Sequence, residues 1–255
     1  IPGVLQTLHS AVTSKAINMV EDRADAFYIM DLIDLNATVN SAANATVGLS
    51  SNYSGVYYPW VKMVDAGTGA PAFFPPSVVI PGVFAKNDRV AAPWFAPAGL
   101  TRGGIPGVID VKNPLSKNER DILYNARVNP IAVFPQQGIV VYGQKTLQTA
   151  ATALDRINVR RLVINLKKFV HEQARFLVFD QNTVNTRQRF LDVVNPYLKN
   201  VKERQGLYSF KIIMDGSNNT SDVIDRNELV GAIYIQPTKT AEFIKIDFNI
   251  QPTGT

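Results

Sequence analysis

"GIVVYGQKTL", residues 138–147, decides between two folds. A phosphate-binding loop places Lys directly after its second Gly, followed by Ser or Thr. Gly138 and Gly143 have the glycine spacing of such a loop, but Gln144 separates Gly143 from Lys145 and Thr146. The interior matters more. A phosphate cradle curls its N–H groups through left-handed backbone conformations. Ile139, Val140 and Val141 are β-branched, resist that geometry and favour an extended chain. No strand–loop–helix unit is legible around "LQTAATALDR", which follows. The stretch reads as a strand broken by Gly143.

Working outward, Pro135-Gln136-Gln137-Gly138 separates apolar runs at 131–134 and 139–142, a hairpin pattern. Upstream, Ser116 and Glu119 have the spacing of a capping box and predict a helix through Tyr124 toward Arg127. Downstream come helical patterns at 157–177 and 184–204, then strands at 207–214 and 229–236. Toward the N-terminus, residues 4–23 predict a helix with Leu5, Leu8, Val12 and Val20 on one side. Residues 26–32 read as a buried strand, and 34–54 as a surface excursion or weak helix. Residues 56–65 are strand-like, with Pro59 pointing to an edge or a bulge. Residues 67–77 read as a loop, 78–88 as a short helix and 93–108 as irregular. The fold class expected is α/β (mixed α+β), a sheet flanked by helices in two sub-domains.

The chain has 255 residues, 46% hydrophobic and 18% charged, which suits a sizeable core and argues against global disorder. No apolar run approaches the ~18–20 residues a membrane helix needs, and no signal peptide is evident at "IPGVLQTLHS". The initial Ile is the mark expected of a piece of a longer protein. There are no cysteines, so disulfides, thiolate metal sites and cysteine nucleophiles are excluded. Residues 156–205 carry eleven Lys/Arg and four Asp/Glu, a net of +7 against +5 for the whole chain. Such a segment suits an acidic partner or simply two solvated helix faces.

Catalytic patterns are weak. His9 and His171 both fall in helical patterns without a metal-ligand partner. No Gly-x-Ser-x-Gly elbow occurs. Asp31 and Asp34 follow a strand, where active-site carboxylates often sit, but without a base or phosphate loop beside them a cap or turn role is expected. The expectation is a non-enzyme with no cofactor and no metal.

Seven phrases occur in an order that resembles the tail sheath proteins of contractile-tailed bacteriophages. They are "YYPWVKMVD" (57–65), "FFPPSVVIPGVFAKND" (73–88), "PWFAPAG" (93–99), "LYNARVNPI" (123–131), "GIVVYGQKTL" (138–147), "DRINVRRLVINLKK" (155–168) and "VIDRNELVGAIYIQPTKTAEFIKIDF" (223–248). The chain is most similar to the C-terminal portion of long myovirus sheath proteins. The resemblance implies residues 1–128 as part of a non-catalytic domain of subtilisin-like topology. It implies 129–255 as a C-terminal domain facing the tail tube, ending in a strand arm at 241–255. It also implies a structural subunit of the virion tail, assembled in the host cytoplasm, that polymerises helically and contracts to drive the tube through the host envelope. Its partners would be neighbouring copies of itself, the tail tube protein, and baseplate and tail terminator proteins, with no nucleic acid and no membrane contact. A basic nucleic-acid-binding module and a phosphate-loop enzyme are the rival readings.

Two sets of site residues follow. On helix 157–177, Val159, Leu162, Val163, Leu166, Phe169 and Val170 share one face. Arg160 with Lys167, and Arg161 with Lys168, are each two turns apart, which predicts a cationic stripe opposite the core. Read with the resemblance, the stripe faces the tube; Arg187, Arg189, Lys199, Lys202 and Arg204 on the next helix compete for that role. In the arm, Ile244, Ile246, Phe248 and Ile250 alternate with Lys245, Asp247 and Asn249, a strand with one buried face. With Phe243, these residues are expected to form an inter-subunit strand, because the resemblance implies terminal arms that complete a neighbour's sheet.

Overall fold

The computed structural model describes residues 1–243. The first half builds α1 (Ser10–Arg23), β1 (Tyr28–Met30), α2 (Val39–Asn44), β2 (Ser54–Tyr58), β3 (Val61–Val64), β4 (Pro71–Phe74), α3 (Pro76–Val90), α4 (Gly99–Arg102), β5 (Val108–Val111) and α5 (Lys117–Asn125). The second half builds β6 (Val128–Phe134), β7 (Gly138–Val141), α6 (Ile157–Ala174), α7 (Val184–Glu203), β8 (Leu207–Ile213), α8 (Ser221–Asp225) and β9 (Ala232–Pro237).

The main sheet has the order β1-β2-β6-β7, with β1, β2 and β6 parallel and β7 antiparallel to β6. β2 is buried along its whole length, as a central parallel strand covered on both faces must be. Its side chains alternate between two cores. Val56 and Tyr58 pack with Ile17 and Val20 of α1, Ala42 of α2 and Leu123 of α5. Tyr57 packs on the other face with Val79, Ile80 and Val83 of α3 and Ile157 of α6. A small antiparallel sheet, β4-β3-β5, extends this second core. A third core joins α6 and α7 to the β8–β9 hairpin through Leu162, Leu166, Phe190, Val194, Leu198 and Leu207, and it takes in Ala92 and Trp94 from the first half of the chain.

Several sequence expectations change. α1 begins at Ser10, because residues 5–7 pair instead with the end of β1: Gln6 donates to the Asp31 carbonyl and Thr7 to that of Leu32. Its buried face is Thr13, Ile17 and Val20, while Leu8 and Val12 face solvent. The segment 56–65 is not one edge strand. It is two strands in different sheets, separated at Pro59-Trp60, and β2 is internal. The expected loop at 67–77 contains β4, which pairs with β3 from Val61↔Phe74 to Val64↔Pro71. β6 lies between β2 and β7, so the main sheet runs on to Val141. The hairpin, the capping box and both long helices stand where the sequence places them.

Candidate assembly interface

The glycine stretch folds as β7 followed by a tightly engaged turn. Several of its N–H groups are already used: Val141 donates to Gly103, Tyr142 to Pro130, Thr146 to Asp155 and Leu147 to Ser54. Lys145 N–H donates to the Asn129 Oδ1 at 2.6 Å, and Asn129 Nδ2 returns a bond to the Lys145 carbonyl at 2.8 Å. The Lys145 ammonium donates to the Tyr124 carbonyl at 2.8 Å and sits 4.2 Å from that ring's centroid. Burial and the nearby charge of Arg156 push its pKa down. Gly143 is required for close packing. A Cβ there would lie 2.9 Å from Pro130 Cδ and 3.0 Å from both Asn129 Oδ1 and Tyr124 Cε2. The turn is a packing junction between the main sheet and α5.

Asp31 is a structural carboxylate, buried to 1% exposure. It accepts from Ser77 N–H at 3.0 Å, Ser77 hydroxyl at 2.6 Å and Gly3 N–H at 3.0 Å. It thereby caps α3 and ties down the N-terminal segment. Asp34 accepts from the Leu35 N–H in a local turn. Among the described residues no group of His, Cys, Asp and Glu is placed to hold a metal ion, and no helix is long and apolar enough to cross a membrane.

The nine basic candidates separate into two groups. Arg160 is 3% exposed. Its guanidinium donates to the Asn52 carbonyl at 3.2 Å and Oδ1 at 2.6 Å, and lies 3.9 Å from the Tyr53 ring centroid. Arg161 reaches α3, pairing with Asp88 at 2.6 Å over the Phe84 ring. Arg187 is buried and donates to Asn182. The predicted stripe opposite the core is therefore broken, because the first turns of α6 are enclosed by the main sheet and α3 as well as by α7. Lys167, Lys168, Arg189, Lys199, Lys202 and Arg204 are exposed. Arg189 pairs with Asp180 and Lys199 with Glu203, while Arg204 covers Trp94 and donates to the Ala91 carbonyl. Of the arm residues, Phe243 is exposed; Ile244, Ile246, Phe248 and Ile250 lie outside the described residues.

Residues 1–147 match the phage tail sheath protein central domain, and residues 149–251 match the phage tail sheath C-terminal domain. The chain belongs to the phage tail sheath family. The tail sheath protein of Vibrio phage KVP40 is 36% identical over 214 residues, covering 84% of this chain and 32% of that protein. This sheath chain thus spans about a third of that relative's length. Among solved structures, a chain of the anti-feeding prophage baseplate superposes with TM-score 0.80 at 25% identity, over 96% of this chain and 66% of that one. A chain of the sheath complex of an extracellular contractile injection system in its contracted state gives TM-score 0.77 at 26% identity, over 88% and 63%.

Sequence reasoning missed two features of this sheath chain. Trp94, in a segment read as irregular, inserts into the third core. Glu242 binds the turn that carries Gln144. Neither has a local sequence signal beyond a tryptophan and a carboxylate in otherwise polar or Pro-rich surroundings.

Proposed function

We propose that this chain is the part of a contractile tail sheath subunit that polymerises helically around the tail tube, and that shortening of the polymer drives the tube through the host envelope. The observation that carries the reading is that both sheath domains match in order along one continuous fold, which also resembles a sheath in its contracted state. The protein works by conformational change, without catalysis, as part of the virion tail assembled in the host cytoplasm. Its partners are further copies of itself, the tube, the baseplate and the terminator.

The tube contact falls to the exposed cations of α6 and α7, chiefly Lys167, Lys168 and Lys202, since Arg160, Arg161 and Arg187 are committed inside the fold. The strand from Phe243 to Ile250 is donated to a neighbouring copy, because its period-two apolar face needs a sheet to cover it. Co-sedimentation of the full-length protein with tail tubes tests the reading. Attachment should fall as salt rises, since exposed charges are screened over ~8–10 Å. It should also fall on reversal of Lys167, Lys168 and Lys202 to Glu. Attachment indifferent to both would contradict the tube-facing assignment.

A further inference from the structure

After β9 the chain does not simply leave the two-stranded sheet. Thr238 is tied back by its hydroxyl, which donates to the Gln205 carbonyl at 2.6 Å, and the chain then reaches residues of both domains. There Glu242 enters a socket. Arg156 donates to both carboxylate oxygens, Nε to Oε1 at 2.7 Å and Nη2 to Oε2 at 2.9 Å. The Tyr124 hydroxyl donates to Oε2 at 2.8 Å. Gln144 Nε2 donates to Oε1 at 3.2 Å and to the Thr240 hydroxyl at 2.6 Å. The Glu242 side chain is 16% exposed, whereas Phe243, one residue on, is 78% exposed.

The socket is built on three separate elements. Tyr124 stands on α5, Arg156 immediately precedes α6, and Gln144 belongs to the turn that Asn129 fixes from β6. All three are far from Glu242 in sequence, by 118, 86 and 98 residues. A two-pronged guanidinium–carboxylate pair with two further donors, shielded from water, is far stronger than an ordinary surface ion pair. A segment needing only a covered surface would not require four charge-assisted bonds to one carboxylate, set between the exposed Ala241 and Phe243.

We infer that the Tyr124–Gln144–Arg156 socket is the mooring of the C-terminal arm, fixing where the arm leaves its own subunit. Tension applied to the arm by a neighbouring copy then passes through Glu242 into α5, α6 and the main sheet, and spares the β8–β9 hairpin. The inference rests on the proposed reading of residues 243–250 as a donated strand. It gives Gln144 of the glycine stretch a role: it holds the arm's root.

The experiment has two readouts on the full-length protein. Limited trypsin digestion of the unassembled subunit tests the socket alone, because Lys239 is exposed three residues before Glu242. Glu242→Ala should speed cleavage after Lys239 by about tenfold or more, with Tyr124→Phe giving a smaller increase and β8 unchanged. Assembled sheaths test the mooring. Glu242→Ala sheaths should form but fragment on contraction more often than wild type, while deletion of residues 241–255 should prevent assembly. Unchanged cleavage in both variants overturns the socket. Faster cleavage with wild-type contraction overturns the mooring. If the deletion variant assembles and contracts normally, the donated-strand reading falls and with it the tension path, while the cleavage result still decides whether Glu242 pins the chain.

Discussion

The Trp94 indole N–H donates to the carbonyl of Arg204 at 2.9 Å, joining residues 110 positions apart. Around this bond, Arg204 donates to the Ala91 carbonyl at 2.9 Å and Asn158 to the Trp94 carbonyl at 3.2 Å. Arg161 adds its pair with Asp88 of α3. The central domain thus inserts a loop into the core of the C-terminal domain, and the two are coupled through side chains as well as through the chain.

That coupling makes Trp94 a strong stability determinant. Trp94→Ala removes a ring that is 7% exposed and should cost about 3–5 kcal/mol in denaturant unfolding. Trp94→Phe keeps much of the ring and loses the bond to Arg204, so about 1–2 kcal/mol is expected.

Burial separates the arginines of α6 from its lysines. Arg160→Ala should lower the unfolding midpoint, because it strands the Asn52 Oδ1 and empties the space against Tyr53. Lys167→Glu with Lys168→Glu should leave the midpoint within about 0.5 kcal/mol of wild type, since both side chains are exposed. Thermal scans of the two variants, read beside tube attachment, separate a folding role from a docking role.

Gly143 should tolerate no side chain. Gly143→Ala places a methyl 2.9–3.0 Å from Pro130, Asn129 and Tyr124, and a cost of about 1–3 kcal/mol is expected in equilibrium unfolding. Added ATP should leave the melting temperature of the wild-type protein unmoved, because binding would raise it by mass action. ATP-dependent stabilisation abolished by Lys145→Ala would restore the nucleotide reading.

The Arg156–Glu242 pair predicts a pH dependence. Burial raises the Glu242 pKa, but hydrogen bonds from Arg156 and Tyr124 and the charge of Arg156 outweigh it, so the carboxyl lies below its ordinary value of 4.5. A carboxylate with a depressed folded-state pKa contributes stability that is present above its unfolded value and lost as pH falls through the folded one. The stability advantage of the wild type over Glu242→Gln should therefore hold at neutral pH and decline only below pH ~4.5. Denaturant unfolding of both proteins at several pH values checks it.

The sequence revealed what is local. Ser116 and Glu119 close their capping box across one turn, with Ser116 N–H donating to Glu119 at 2.8 Å, so three positions of spacing suffice to see it. Leu162 and Leu166, read on one face of α6, pack into one core, and Ile139, Val140 and Val141, which ruled out a phosphate cradle, form β7. What was not legible depends on distant partners. Periodicity placed Arg160 on one side of α6, but not the Asn52-Tyr53 segment that covers it. β4 is visible only through its register with β3, and the Glu242 socket only through residues brought together by the whole fold.

The central claim is that the protein is a subunit of a helical sheath. Electron microscopy of the purified full-length protein, alone and with tail tubes, tests it most directly. Hollow striated tubes of stacked rings, or tail tubes jacketed by such rings, are the predicted result. Particles that stay monomeric in both conditions while the protein remains folded would contradict it.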